Sequence, residues 1–172
     1  AISDVCAGLY AHGAILAALR SRDRNGEGCH IDVSLLDTQV ATLVNVASSY
    51  LVSGVNPTRW GTSHSSIVPY RAYKTKSKQM IVGALNDSQF DRLCQVLELD
   101  LFEKYPLNSL RVANRDDVDA QIQQRLEKEP FEVWMKRFEE AKIPYGPIND
   151  LKSVFEDPHI KERQLVQHVE HP

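Results

Sequence analysis

The sequence predicts an α+β fold with a small antiparallel sheet. Two observations carry that prediction. Several segments of ten or more residues place apolar side chains at helical spacing. Between them lie two short runs, "YRAYKT" and "QMIVGAL", joined by the polar turn "KSK", which is the pattern of a hairpin.

From the N-terminus, residues Asp4 to about Arg22 carry apolar or small side chains nearly all round, among them Val5, Leu9, Ile15, Leu16 and Leu19. That pattern predicts a helix buried on several sides. The polar stretch "SRDRNGEG" ends it, and "CHIDV", Cys29 to Val33, predicts a short strand by alternation and β-branching. Ser34 with Asp37 three residues later is a carboxylate variant of the capping box. It opens a helix expected from Leu35 to about Val52. "SGVNPTRWGTSHSSIVP" follows as a loop of a length that is usually functional or disordered.

Beyond the hairpin, Asp87 or Ser88 is read as the cap of a helix reaching about Leu97. "DLFEKYPLNS" connects it to two more helices, about Arg115 to Lys128 and Pro130 to Ala141, with Pro130 suited to a first turn. "KIPYGPIND" reads as an extended segment pinned by Pro and Gly. "LKSVFEDPHIKER" reads as a helix broken at Pro158, and "LVQHVEHP" as a closing strand.

The 172 residues are 42% hydrophobic and 25% charged with a net charge of −3, which fits one globular domain or two small ones. The charge balance points away from nucleic acid and from anionic membranes as partners. No apolar run is read as approaching the ~20 residues that span a bilayer. Cys6, Cys29 and Cys94 lie far apart without CxxC spacing, as expected of reduced thiols in an intracellular protein. The six histidines are scattered, so no metal site is expected. His12 reads as a packed or capping group, and His159, His168 and His171 as solvated.

Two places can carry chemistry. Asp4 sits at the mouth of the first helix, where Ser3 or Asp4 reads as the N-cap. The same position favours a charged carboxylate through the helix dipole. Beside Cys6, Ala7 and Gly8, such a carboxylate is an accessible nucleophile. The second place is "RWGTSHSSIVPY": Gly61, Thr62, Ser63, Ser65 and Ser66 form a flexible stretch dense in donors around His64. It suits an anion or serves as a plain polar connector. A triad of Ser65, His64 and an aspartate lacks the GxSxG elbow that would support it.

Four stretches together resemble the family III CoA-transferases. They are "DVCAGLYAHGAILAAL", "GEGCHIDVSLLDTQV", "RWGTSHSSIVPYRAYKTK" with "MIVGALNDSQF", and "IPYGPINDLKSVFEDP" with "VEHP". "RWGTSHSSIVPY" and "YGPIND" look most like the branch acting on succinyl-CoA and glutarate. The resemblance implies an interlocked homodimer and a mitochondrial location. It also implies that residues 1–60 are linker helices and a strand, and residues 61–172 a small α+β domain with the start of a return linker. On this reading the chain is the middle of a longer protein and is inactive alone.

The family's D-x-x-x-G pattern falls on Asp4 and Gly8 and makes Asp4 the catalytic nucleophile. CoA would pass between carboxylic acids through an aspartyl-CoA thioester, with Gly61, Thr62, Ser63, His64 and Ser65 covering the intermediate. The CoA thioester is then a substrate, and no permanently bound cofactor is implied. Arg59 and Arg71, with Lys74 and His64, could hold a distal carboxylate or remain solvated. An α-methylacyl-CoA racemase is the competing reading inside the family. It tends to have Glu-Pro where this chain has "NDSQF", and Asn86 cannot serve as that acid. A non-catalytic dimerisation module is the competing reading outside it. The first two helices are expected to mediate self-association through Leu9, Leu16, Leu36, Val40 and Leu43.

Overall fold

A computed structural model describes residues 1–170 of the chain. It divides at Arg59–Trp60 into two units.

The first unit is built from three helices. Helix α1 (Ile2–Asn25) begins two residues before the expected start, with Ala1 as N-cap and no side-chain cap hydrogen bond. Neither Ser3 nor Asp4 is therefore the cap. Ser3 Oγ instead donates to Gln39 Oε1 in α2 (Leu35–Ala41). Gly26 ends α1 in the left-handed region, φ 77°, with its N–H on Arg22 O, a conformation that costs a glycine little. Ser34 caps α2 as expected, accepting from the Asp37 N–H at 3.3 Å.

The single helix expected over 35–52 is interrupted at Thr42–Leu43 and resumes as α3 (Val44–Ser53). Val44 takes φ 43° at the break. Thr38 Oγ1 donates to Ser34 O and Thr42 Oγ1 to Gln39 O. These local bonds compete with the helical ladder and favour bends.

Two further expectations fail here. Cys29–Val33 forms no strand among the described residues, because extended backbone becomes a strand only with a ladder partner. Helix α1 is not buried on several sides. Its one buried residue is Ala7, and Leu9 and Leu16 are 68% and 54% exposed. Its main neighbour is the short α2, too small to cover a helix of 24 residues. By length and composition α1 also meets the requirement for a membrane span, against the expectation that no apolar run comes near it. Core helices meet the same requirement, and α1 carries Asp4 and His12.

The second unit contains the sheet. Strand β1 (Tyr70–Lys74) pairs antiparallel with β2 (Gln79–Gly83), Tyr70 opposite Gly83 and Lys74 opposite Gln79. The expected extended segment contributes β3 (Tyr145–Pro147) on the far side of β2, giving the order β1-β2-β3.

Helix α4 (Asp87–Leu97) is capped by Asn86, not by Asp87 or Ser88. Asn86 Oδ1 accepts from the Gln89 N–H at 2.9 Å. Two short helices, α5 (Leu101–Lys104) and α6 (Asn108–Ala113), occupy the segment read as a connection. Helices α7 (Arg115–Leu126) and α8 (Phe131–Glu140) follow, with Pro130 at the N-cap of α8. Pro158 separates α9 (Leu151–Glu156) from α10 (Pro158–Glu162), as expected. Residues 165–170 form no strand. His159 and His168 are exposed, while His171 and the rest of the expected closing strand lie outside the described residues.

Tyr73, Met80 and Val82 point from the sheet into one core with Phe90 and Leu97 of α4, Ile122 of α7, and Trp134 and Phe138 of α8. At its edge lies Arg111, fully buried. Its Nε donates to Val68 O at 2.7 Å, Nη1 to Pro106 O at 2.9 Å and Tyr105 O at 3.2 Å, and Nη2 to Asp87 Oδ1 at 2.8 Å. The guanidinium lies 4.3 Å from the centre of the Phe90 ring. Removing it leaves several backbone carbonyls without a donor, each costing about 1–3 kcal/mol. Arg111→Ala is expected to destabilise the second unit by about 3–5 kcal/mol, whereas Asp87→Asn, at a half-exposed partner, costs under about 1 kcal/mol. Urea unfolding followed by the fluorescence of Trp60 and Trp134 checks the contrast.

Burial pushes the Cys94 thiol up from 9.0 to about 12. Burial, then the neighbouring Asp119 charge, raises the Tyr73 hydroxyl well above its ordinary 10.0. A group whose folded pKa is raised stabilises fully below its unfolded pKa and loses that contribution as pH rises. Stability should therefore hold below about pH 9 and then fall by up to about 1.4 kcal/mol per pH unit from Cys94 alone. Cys94→Ala should flatten the profile between pH 9 and 10, measured by urea midpoints across that range.

Candidate functional site

Asp4 lies in the first turn of α1, side chain exposed, with no ion pair among the described residues. The free N–H groups of that turn and the helix dipole favour negative charge there. One turn on, a Cβ added at Gly8 would meet nothing within 4 Å. Approach to the carboxylate is unobstructed by its own unit.

The stretch Trp60–Pro69 belongs to the second unit and is pinned along its length, which corrects the reading of a flexible connector. Gly61 takes φ 59°, the left-handed conformation that favours glycine, in a turn closed by the Ser63 N–H on Trp60 O at 3.0 Å. Thr62 Oγ1 accepts from the Ala72 N–H at 3.1 Å, and the His64 N–H donates to Tyr70 O at 2.9 Å. The strap thus covers the outer edge of β1, where open backbone groups would otherwise need partners.

The other anchors come from α6 and α7. Asn108 Nδ2 donates to Ser66 O at 2.8 Å, and its Oδ1 accepts from the Val68 N–H at 3.1 Å. Arg115 Nη2 donates to Ser65 O at 2.8 Å, with its guanidinium 4.8 Å from the centre of the Trp60 ring. Asn108, Arg111 and Arg115 were not singled out in the sequence. One signal was present for Arg115: a cation opening a helix opposes the dipole and points to a tertiary partner.

Of the basic candidates, Arg59 is exposed at the end of the first unit. Arg71 is committed: its Nη1 lies 3.4 Å from Asp119 Oδ2, and Asp119 accepts from the Tyr73 hydroxyl at 2.6 Å. Lys74 is exposed at the end of β1. The cleft lined by Arg71, Tyr73, Asp116, Asp119, Ala120 and Gln123 has a volume of about 230 Å³, below the size that holds a cofactor-sized ligand. Among the described residues no group of three or more His, Cys, Asp or Glu is arranged to hold a metal ion. Asp4 and the strap belong to different units.

The family model for CoA-transferase family III matches residues 1–172. The human protein "Succinyl-CoA:glutarate CoA-transferase" is 44% identical over 175 residues, covering 100% of this chain and 40% of that protein. The Agrobacterium fabrum "Succinate--glutarate CoA-transferase" is 38% identical over 173 residues, covering 96% of this chain and 42% of that protein. The chain thus spans about two-fifths of the length of these relatives. A CAIB/BAIF family protein from Brucella suis superposes with a TM-score of 0.79 at 36% identity, over 94% of this chain and 44% of that one. The four stretches that carry the resemblance lie within one match that runs through both units, and the chain belongs to CoA-transferase family III.

Proposed function

We propose that the protein carrying this chain moves CoA between carboxylic acids, with dicarboxylates such as succinate and glutarate as the acid pair and Asp4 as the nucleophile. The observation that supports this most is Asp4 itself: an exposed carboxylate in a first helical turn, in the D-x-x-x-G setting, in a member of this family. The names of the human and Agrobacterium relatives support the choice of acids.

The chemistry suits a carboxylate. Asp4 attacks the donor thioester and expels CoA thiolate, leaving a mixed anhydride. The thiolate attacks the aspartyl carbonyl, forming aspartyl-CoA and releasing the donor acid. The acceptor carboxylate then attacks this new thioester, and the expelled thiolate takes the acceptor acyl group, restoring Asp4. Each intermediate keeps the free energy of an activated acyl group, which a serine ester would lose. Splitting the exchange in this way is covalent catalysis. The strap Gly61–Ser65 is our candidate for covering the intermediate, a role in which donors held in place before reaction stabilise a developing oxyanion.

Asn86 fits this reading better than a racemase, since its side chain is spent on the cap of α4 and on Ser88 Oγ at 2.8 Å. In the natural full-length product, Asp4→Ala should lower succinyl-CoA to glutarate transfer by on the order of a thousandfold or more, with the unfolding midpoint unchanged. Turnover like that of the unsubstituted protein would remove Asp4 as nucleophile. Rapid α-deuterium uptake from deuterated water without transfer would favour the racemase.

Self-association belongs to the same proposal, as does a mitochondrial location. Leu9, Leu16, Leu36, Val40 and Leu43 are each at least 44% exposed, more apolar surface than soluble monomers usually leave open. A homodimer burying at least about 1,000 Å² would cover them. Light scattering should give a dimer for the full-length product and a smaller species for Leu9→Lys with Leu36→Lys. A stable monomer at high concentration contradicts it. This chain alone is expected to show no transfer.

A further inference from the structure

The ring of His64 is fixed on two sides. It stacks on Tyr70 with centroids 5.5 Å apart and planes 5° from parallel. Its Nδ1 accepts the Ser66 N–H at 3.1 Å, with Ser66 Oγ 3.4 Å away. A backbone amide can only donate, so Nδ1 carries no proton, and the neutral ring carries it on Nε2. Among the described residues no hydrogen bond occupies that Nε2–H, and the residue is half-buried.

The surroundings favour a negative partner. Residues 54–72 contain no Asp or Glu. The Arg115 guanidinium, bound to Ser65 O at 2.8 Å, forms no ion pair among the described residues. A fixed donor on a strap that carries no acid of its own and is bound by a guanidinium suits an anionic acceptor. We infer that the Nε2–H of His64 donates to a carboxylate oxygen of the free acid substrate, with Ser66 and Tyr70 setting the tautomer and the plane of the ring. The inference rests on the CoA-transferase reading and adds to it the group that recognises the acid.

Two variants separate this role from a structural one. The distal amide of Gln reaches the place of Nε2–H, and the Asn carbonyl takes the place of Nδ1 and keeps the Ser66 contact. In the natural full-length product, His64→Asn should raise the KM for glutarate roughly 10- to 100-fold, the loss of a hydrogen bond to a charged group. His64→Gln should recover most of the loss. Rescue by Asn, equal defects in the two variants, or an unchanged KM for glutarate in His64→Asn would overturn the inference alone. No transfer by the unsubstituted protein would overturn the proposed function and this inference with it.

Discussion

The guanidinium of Arg111 holds the second unit in register with its own loops. A fully buried charge is tolerated only when its donors are satisfied, and here they meet the carbonyls of Val68, Tyr105 and Pro106 and the carboxylate of Asp87. Those acceptors belong to the exit of the strap, the turn between α5 and α6, and the start of α4. None of them is part of a regular ladder, so each needs a donor from elsewhere. One planar side chain with its N–H groups in a fixed fork supplies them together.

Asn108 lies one turn before Arg111 and Arg115 about one turn after, and these two take the carbonyls of Ser66 and Ser65. The strap is therefore held on one side by its own bonds to β1 and on the other by three side chains between positions 108 and 115. Glycine and serine supply small size and a left-handed turn at Gly61, while distant polar residues supply rigidity.

The sequence was legible where structure is local. The hairpin, the Ser34 cap, the division at Pro158 and the family stretches all rest on neighbouring residues. The strap's rigidity was hidden because its anchors lie 40 to 50 residues away in sequence. The break at Thr42–Leu43 depends on threonine hydroxyls turning to their own backbone, which a pattern of apolar positions does not record. The failed strand at Cys29–Val33 and the exposed α1 share one cause. Alternation and apolarity state what a segment prefers, and the partner that satisfies the preference must come from another element. Of the candidate site, Asp4 was legible through its motif and the strap through its composition. The tautomer of His64 and the commitment of Arg71 to Asp119 required coordinates.

The proposed nucleophile is an exposed carboxylate in the first turn of α1. In that role the carboxylate must be ionised and approachable. As the proposed nucleophile, Asp4 becomes covalently bonded during turnover. Mass spectrometry of peptides from the full-length product, incubated with succinyl-CoA and trapped with hydroxylamine, tests it most directly. The account predicts an aspartyl hydroxamate at Asp4 and at no other residue. An adduct at another side chain, or turnover with none at Asp4, would contradict it.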